Sequence, residues 1–304
     1  MIYFPFQYYT NLGNWLFQYA AALSIGQDVA GYMEYADNAI KVAAYPTIFG
    51  ALKQVASLPP SVAQYEQPDF RYHPFPDKLK RGDWLIKGFY QTEKYFKDKD
   101  DIRRRFGPPQ KVIDDLMQRY GTWLSQPNVT GISVRHGKDY LEIPYKFPFV
   151  GKKYFKDCID KIPTCQHFVV CSDDLKWCKR FFPKAFPDKK FLFIENETVL
   201  NQLYIHVLCR HNIISNSSFS WWGAWLNPNK DKRVLAPSEW FGIMGVKEGL
   251  DWSDIYFDGV EVVNNRLNWL RMLNVYWHLF KKWFKLKFYP IKRFVSVTIL
   301  GKTH

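Results

Sequence analysis

Residues 212–225 read NIISNSSFSWWGAW. The β-branched pair Ile213 and Ile214 predicts a short buried strand. It breaks into Ser215-Asn216-Ser217-Ser218, and an aromatic helix opens at Phe219. Ser and Asn are N-cap residues. A strand that feeds a helix through such a cap presents backbone N–H groups and the positive end of a helix dipole. That makes Ser217, Ser218 and the Phe219 N–H candidates for a phosphate group; the structural alternative is a well-capped helix under a sheet. Two more polar segments have the same placement. Arg135 to Asp139 follows an apolar run over 131–135, and Ser172-Asp173-Asp174 follows HFVVC over 167–171.

The elements that would position these segments are regular from residue 130 onward. Strands are predicted over 131–135, 167–171, 191–194, 212–215 and 233–236, with helices over 152–162, 175–182, 198–210 and 219–226 between them. Strands alternating with helices imply a parallel, doubly wound sheet, and ligands of such sheets sit beyond the carboxyl ends of the strands. All three polar segments fall there. Residues 1–6 read as a strand, followed by a loop containing Gly13 and a helix from Trp15 capped by Asn14. Residues 28–82 carry six prolines and no clean period. Trp84 to Phe89 reads as a strand, residues 110–124 as a helix. This half forms a second α/β domain with its own glycine loop.

Composition bounds the class. A chain of 304 residues with 47% hydrophobic residues can bury sizeable cores. The net charge is +13, and nine Lys and Arg lie in residues 264–304, which contain no Asp or Glu. That tail has apolar residues at helical spacing. It is either an amphipathic helix lying on anionic lipid or a last helix packing back onto the body. A nucleic-acid reading fits less well, because the cations are confined to one segment rather than spread over a groove. Five cysteines without a CxxC fit reduced, buried thiols. No secretory signal or 18-residue apolar span is present, so the expected location is cytoplasmic, peripheral on the inner face of the membrane. There is no GxxxxGK[ST] loop, which argues against a phosphate-cleaving NTPase. Asp98-Lys99-Asp100 has metal-binding spacing but lies in a run of mixed charges, so no metal site is expected.

Six segments carry a family resemblance: LGNWLFQYA (12–20), GFYQTEKYF (88–96), ISVRHGKDY (132–140), VVCSDDLKWC (169–178), ISNSSFSWWGAWL (214–226) and VLAPSEWF (234–241). Together they resemble the bacterial α-1,2-fucosyltransferases of glycosyltransferase family 11. The resemblance implies an α/β, GT-B type fold with two Rossmann-like domains facing a cleft and a C-terminal amphipathic tail. The domains would be an acceptor-side domain over 1–125, a GDP-sugar domain over 126–263, and the tail over 264–304. It also implies inverting, metal-independent transfer of fucose from GDP-fucose to the 2-hydroxyl of a galactose-terminated glycan, free or lipid-linked, with no cofactor. Two departures stand out. Trp15 replaces the usual Gln, and the HxRRGD signature appears as Ser133-Val134-Arg135-His136-Gly137-Lys138-Asp139.

In such a transfer, charge builds on the departing diphosphate and must be met by arginine and aimed N–H groups. Arg135 is the candidate for the β-phosphate, with Gly13 and Asn14 closing from the facing domain. Asp173 is a candidate for guanine N1–H and its amine, or an N-cap. Asp139 is a possible base or an orienter of Arg135 or His136. His136 either works as a base near neutral pH or stands in for the lost arginine. The rival readings are a fucosyltransferase of another linkage and a catalytically silent sugar-nucleotide or glycan-binding protein.

Overall fold

The computed structural model describes residues 1–7, 11–137, 140, 143, 146–148, 150–242, 245, 248–265, 273, 277 and 280. Asp139 therefore lies outside the described residues, as does nearly all of the tail; its described Leu273, Trp277 and Phe280 are exposed.

The first sheet contains β1 (Ile2–Pro5), β2 (Val29–Tyr32), β3 (Lys53–Val55), β4 (Ala63–Glu66) and β5 (Trp84–Lys87), in the order β3-β2-β1-β5-β4. The second contains β6 (Thr130–Val134), β7 (His167–Ser172), β8 (Lys190–Phe193), β9 (His211–Ile213), β10 (Val234–Pro237) and β11 (Val260–Val263), in the order β11-β10-β9-β6-β7-β8. Every pairing is parallel. The central strands β1, β6, β9 and β10 are buried along their whole length, which explains their near-continuous apolar runs. Helices α1 (Leu12–Ser24), α2 (Asn38–Ala43), α3 (Pro46–Phe49), α4 (Lys99–Phe106) and α5 (Gln110–Leu124) accompany the first half of the chain. Helices α6 (Lys152–Lys161), α7 (Leu175–Ala185), α8 (Val199–Leu208) and α9 (Ser218–Leu226) accompany the second.

Strand order reverses beside β1 in one sheet and between β6 and β9 in the other. Such switch points open crevices at the carboxyl edge. The two carboxyl edges face one another across a single cleft, which is the GT-B arrangement. The predicted strands and helices of the second sheet are all present, within a few residues at each end. Four strands were not foreseen: β2, which lies in the stretch without a clean period, β3 and β4, largely exposed, and β11, a partly exposed edge strand. Short exposed edge strands carry little hydrophobic period to read. The glycine loop is also corrected: α1 begins at Leu12, with Asn11 at the N-cap, so Gly13 and Asn14 belong to its first turn.

The aromatic helix α9 joins the two halves. Trp221, Trp222 and Trp225 are at most 1% exposed. Phe17 of α1 packs against Trp221 and Trp222 with ring centroids 4.5 and 4.9 Å apart, and Phe96 contacts all three indoles. One hydrophobic cluster runs from Ile2 and Phe17 through to these tryptophans and Trp240.

All five cysteines are buried and free, and burial pushes each thiol pKa up, which keeps them protonated and unreactive. His206 of α8 is wedged against Gly131 and Gly223, where a β-carbon would come within 2.6 and 2.8 Å of its side chain. Its Nε2 is buried with no partner among the described residues. Burial lowers its pKa to about 4 from 6.5. The unfolded chain therefore takes up this proton first as pH falls, so the stabilisation is complete above pH 6.5 and is lost toward pH 4. Between pH 7 and pH 4 the wild type should lose about 3 kcal/mol more stability than His206→Leu. Denaturant titrations at the two pH values test this; equal losses in both proteins would contradict it.

Candidate active-site cleft

The cleft between the sheets has a volume of about 1020 Å³. From the first half of the chain it is lined by Gly13 and Asn14 of α1, by Glu66 and Gln67 at the end of β4, and by Gly88 and Phe89 after β5. From the second half come Arg135, Asp173 and the turn Asn216 to Phe219. Of the residues singled out from sequence, Gly13, Asn14, Arg135, Asp173, Ser217, Ser218 and Phe219 thus line one cavity. His136 is not among the residues that line it.

Arg135 leaves the end of β6 and forms an ion pair with Asp173, and its guanidinium lies 4.7 Å over the Tyr140 ring. The His136 amide donates to the other Asp173 oxygen at 2.7 Å. Both oxygens of the carboxylate expected to read guanine therefore accept from the protein. Asp173 fixes Arg135. Asp174 does the corresponding work for His136: its Oδ2 lies 2.6 Å from Nδ1, and its Oδ1 accepts the Trp177 amide at 2.9 Å, capping α7. Burial would raise the Asp174 pKa, but these two hydrogen bonds outweigh it and the pKa is lowered. The His136 ring also stacks on Trp177 at 4.7 Å. His136 is thereby held beneath Arg135's strand end, with its ring engaged by Asp174 and Trp177.

The turn after β9 is anchored by Asn216, whose Nδ2 donates to the carbonyls of Pro148 and Trp240 at 3.0 and 3.1 Å. Ser217 takes the N-cap position of α9 without a capping side-chain bond. The first amides of a helix have no partner within it, and here that end opens on the cleft. Ser215 Oγ and Asn216 Oδ1 in the same turn are buried without a hydrogen-bond partner among the described residues.

Two helix N-termini meet at this point. A β-carbon on Gly13 would lie 2.5 Å from the Phe219 nitrogen and 2.6 Å from Ser218 Oγ. The close approach that glycine permits is thus made to the facing helix, and Trp222 Nε1 ties it by donating to the Gly13 carbonyl at 2.9 Å. Asn14 Oδ1 accepts from Gln91 at 2.7 Å. Two positive dipole ends therefore converge on the cleft that Arg135 also lines, an arrangement that attracts a polyanion.

Sequence reasoning missed Glu66, Gln67, Asp69 and Phe70, which lie in the stretch without periodicity, and Phe89, which lies inside a recognised segment. The metal-like pair has structural work instead. Asp98 caps α4 by accepting the Asp101 amide at 2.8 Å, and Asp100 pairs with Arg103. Among the described residues no group of three or more His, Cys, Asp or Glu is placed to hold a metal ion.

A family model described as Glycosyl transferase family 11 matches residues 62–242. Among curated relatives, the Escherichia coli "O-antigen biosynthesis glycosyltransferase WbnK" is 28% identical over 57% of this chain and 62% of its own length. An Escherichia coli "Alpha-1,2-colitosyltransferase" is 27% identical over 76% of this chain and 90% of its own length. Among solved structures, NodZ alpha-1,6-fucosyltransferase soaked with GDP-fucose is similar at 15% identity, 74% and 92% coverage and a TM-score of 0.46. A glycosyl transferase of family 9 from Veillonella parvula is similar at 9% identity, 90% and 89% coverage and a TM-score of 0.47.

The packing at Gly13 yields a direct test. Gly13→Ala places a methyl group against backbone atoms of α9 and must push the two helix ends apart. It should lower stability by roughly 1–3 kcal/mol, as overpacking does. Denaturant titration against the wild type checks this; an unchanged midpoint would show that the ends of α1 and α9 yield to the methyl group without strain.

Proposed function

The chain belongs to glycosyl transferase family 11, and on that premise we propose that it transfers fucose from GDP-fucose to the 2-hydroxyl of a galactose-terminated glycan, with inversion and without a metal. The observation that carries the reading is the junction of Arg135 with the N-termini of α1 and α9 in one cleft. In an inverting displacement the C1–O bond to the β-phosphate breaks as the acceptor oxygen attacks from the opposite face, and negative charge grows on the leaving GDP. Arg135, held at a fixed angle by Asp173 and Tyr140, meets that charge without reorganising. The amides of Ser218 and Phe219 supply further donors. Ser172 and Val199 line the cleft together with Asp173 and are the proposed seat for the base.

The acceptor is proposed to belong to a bacterial surface polysaccharide, on the strength of a relative named for O-antigen biosynthesis. A second donor reading rests on the other relative, which matches over 90% of its length and is named as a colitosyltransferase. Colitose lacks one hydroxyl of fucose, so a site built to hydrogen-bond that hydroxyl would discriminate between the two donors strongly.

Arg135→Ala should reduce turnover by about 10²-fold or more. Arg135→Lys should recover little, because lysine lacks both the planar fork and the stacking surface for Tyr140. Activity of the wild type should persist in excess EDTA. Steady-state kinetics with GDP-fucose and a galactoside panel provide the check. Near-wild-type turnover in Arg135→Ala, or loss in EDTA restored by Mn²⁺, would contradict the mechanism.

A further inference from the structure

Nothing so far removes the proton from the attacking hydroxyl. The described carboxylates lining the cleft are Glu66, Asp69, Asp173 and Glu248. Asp173 accepts from Arg135 and the His136 amide and belongs to the leaving-group side. Asp69 Oδ1 accepts the Arg71 amide at 2.8 Å and lies 2.9 Å from His73 Nε2. Hydrogen bonds from His73 and Arg71 lower its pKa and make it a poor proton acceptor. Glu248 follows β10 and stands on the same half of the protein as Arg135. Glu66 is the last residue of β4, on the facing wall, and no hydrogen bond or ion pair engages its carboxylate among the described residues.

The wall around Glu66 is shaped for a sugar ring. Gln67 Oε1 accepts the amides of Phe89 and Tyr90, each at 3.0 Å, and clamps the turn that presents Phe89. Phe89 is 39% exposed, and its ring is 6.3 Å from Phe70, which in turn meets Phe241 edge-on at 4.9 Å. The apolar C–H face of a pyranose packs against such rings, while its hydroxyls reach polar groups at their edge. A carboxylate and an aromatic face, mechanically joined through Gln67, thus stand opposite the diphosphate anchor.

We propose that Glu66 is the catalytic base, with Phe89 seating the acceptor ring beside it; this rests on the donor reading above. The Glu66 carboxylate takes the proton of the acceptor hydroxyl. The oxygen lone pair forms the new bond to C1 of the donor sugar, and the C1–O bond to phosphate breaks with its electron pair leaving on GDP. The base lies on the acceptor face and Arg135 on the leaving-group face, as in-line inversion requires.

The test uses the full-length protein, with transfer to a galactoside, acceptor KM and GDP affinity measured in parallel. Glu66→Gln should lower transfer kcat by about 10²–10⁴-fold, leave the GDP dissociation constant and acceptor KM within a few-fold, and abolish the acid limb of the pH–kcat profile. Glu66→Asp, which keeps the charge one methylene further back, should recover part of the rate, and Glu248→Gln and Asp69→Asn should retain most of it. Phe89→Ala should raise acceptor KM without changing GDP affinity. Transfer by Glu66→Gln within three-fold of wild type, or a loss confined to Glu248→Gln, overturns the assignment. If the wild type itself binds no GDP, the donor reading fails first, and the distinction is visible because GDP affinity is measured separately from transfer.

Discussion

The structure depends on where three indole N–H groups of one helix find their partners. Trp221 donates to the Ile255 carbonyl at 2.6 Å, Trp222 to the Gly13 carbonyl at 2.9 Å, and Trp225 to the Glu93 carboxylate at 2.8 Å. A buried donor left unpaired costs about 1–3 kcal/mol, so each bond fixes the orientation of its ring. Two of the three partners lie in the first half of the chain. Each indole also removes roughly 150–250 Å² from water, which contributes on the order of 5 kcal/mol per ring. An interface this apolar does not behave as a hinge by default, unlike the smaller, more polar contacts between mobile domains. The cleft is therefore preset: α9 fixes its own N-terminus against that of α1, and the strand ends carry Arg135 and Glu66 to opposite walls.

Electrostatics along α9 follow the same logic. At its far end Lys232 donates to the carbonyls of Ala224 and Asn227, each at 2.7 Å, and its pKa is lowered to about 8 by burial and by Arg103 nearby. A cation at the carbonyl end satisfies the groups that the last turn leaves open. At the near end the amides are left for the cleft. Acidic partners are distributed with equal economy: Asp173 serves Arg135, Asp174 serves His136 and caps α7. The altered signature thus keeps one arginine and converts its neighbour into a histidine braced by a carboxylate and an indole.

Much of this was legible in the sequence, and the gaps have physical causes. Strands β6, β7 and β9 are buried in a parallel sheet and read as apolar runs, so the polar segments that follow them could be placed at one edge. The cap-like turn Ser215 to Ser218 was visible, and it opens on the cleft as expected. In the sequence Gly13 reads as part of a polar loop; only the facing backbone of Phe219 reveals why no β-carbon fits. The tryptophans of α9 announced a helix but not its partner, because tertiary contacts with Phe17 and Phe96 leave no local signal. Glu66 and Gln67 sit at the end of an exposed edge strand between prolines, where no period marks a wall of the site.

The central claim is that the diphosphate of a GDP-sugar lies at the junction of Arg135 with the ends of α1 and α9. A crystal structure of the protein with GDP-fucose tests it most directly. The account predicts the β-phosphate within hydrogen-bond distance of the Arg135 guanidinium and the Ser218 or Phe219 amide, with the sugar facing Glu66. A diphosphate bound elsewhere in the cleft, or held through a metal ion at carboxylates remote from Arg135, would contradict it.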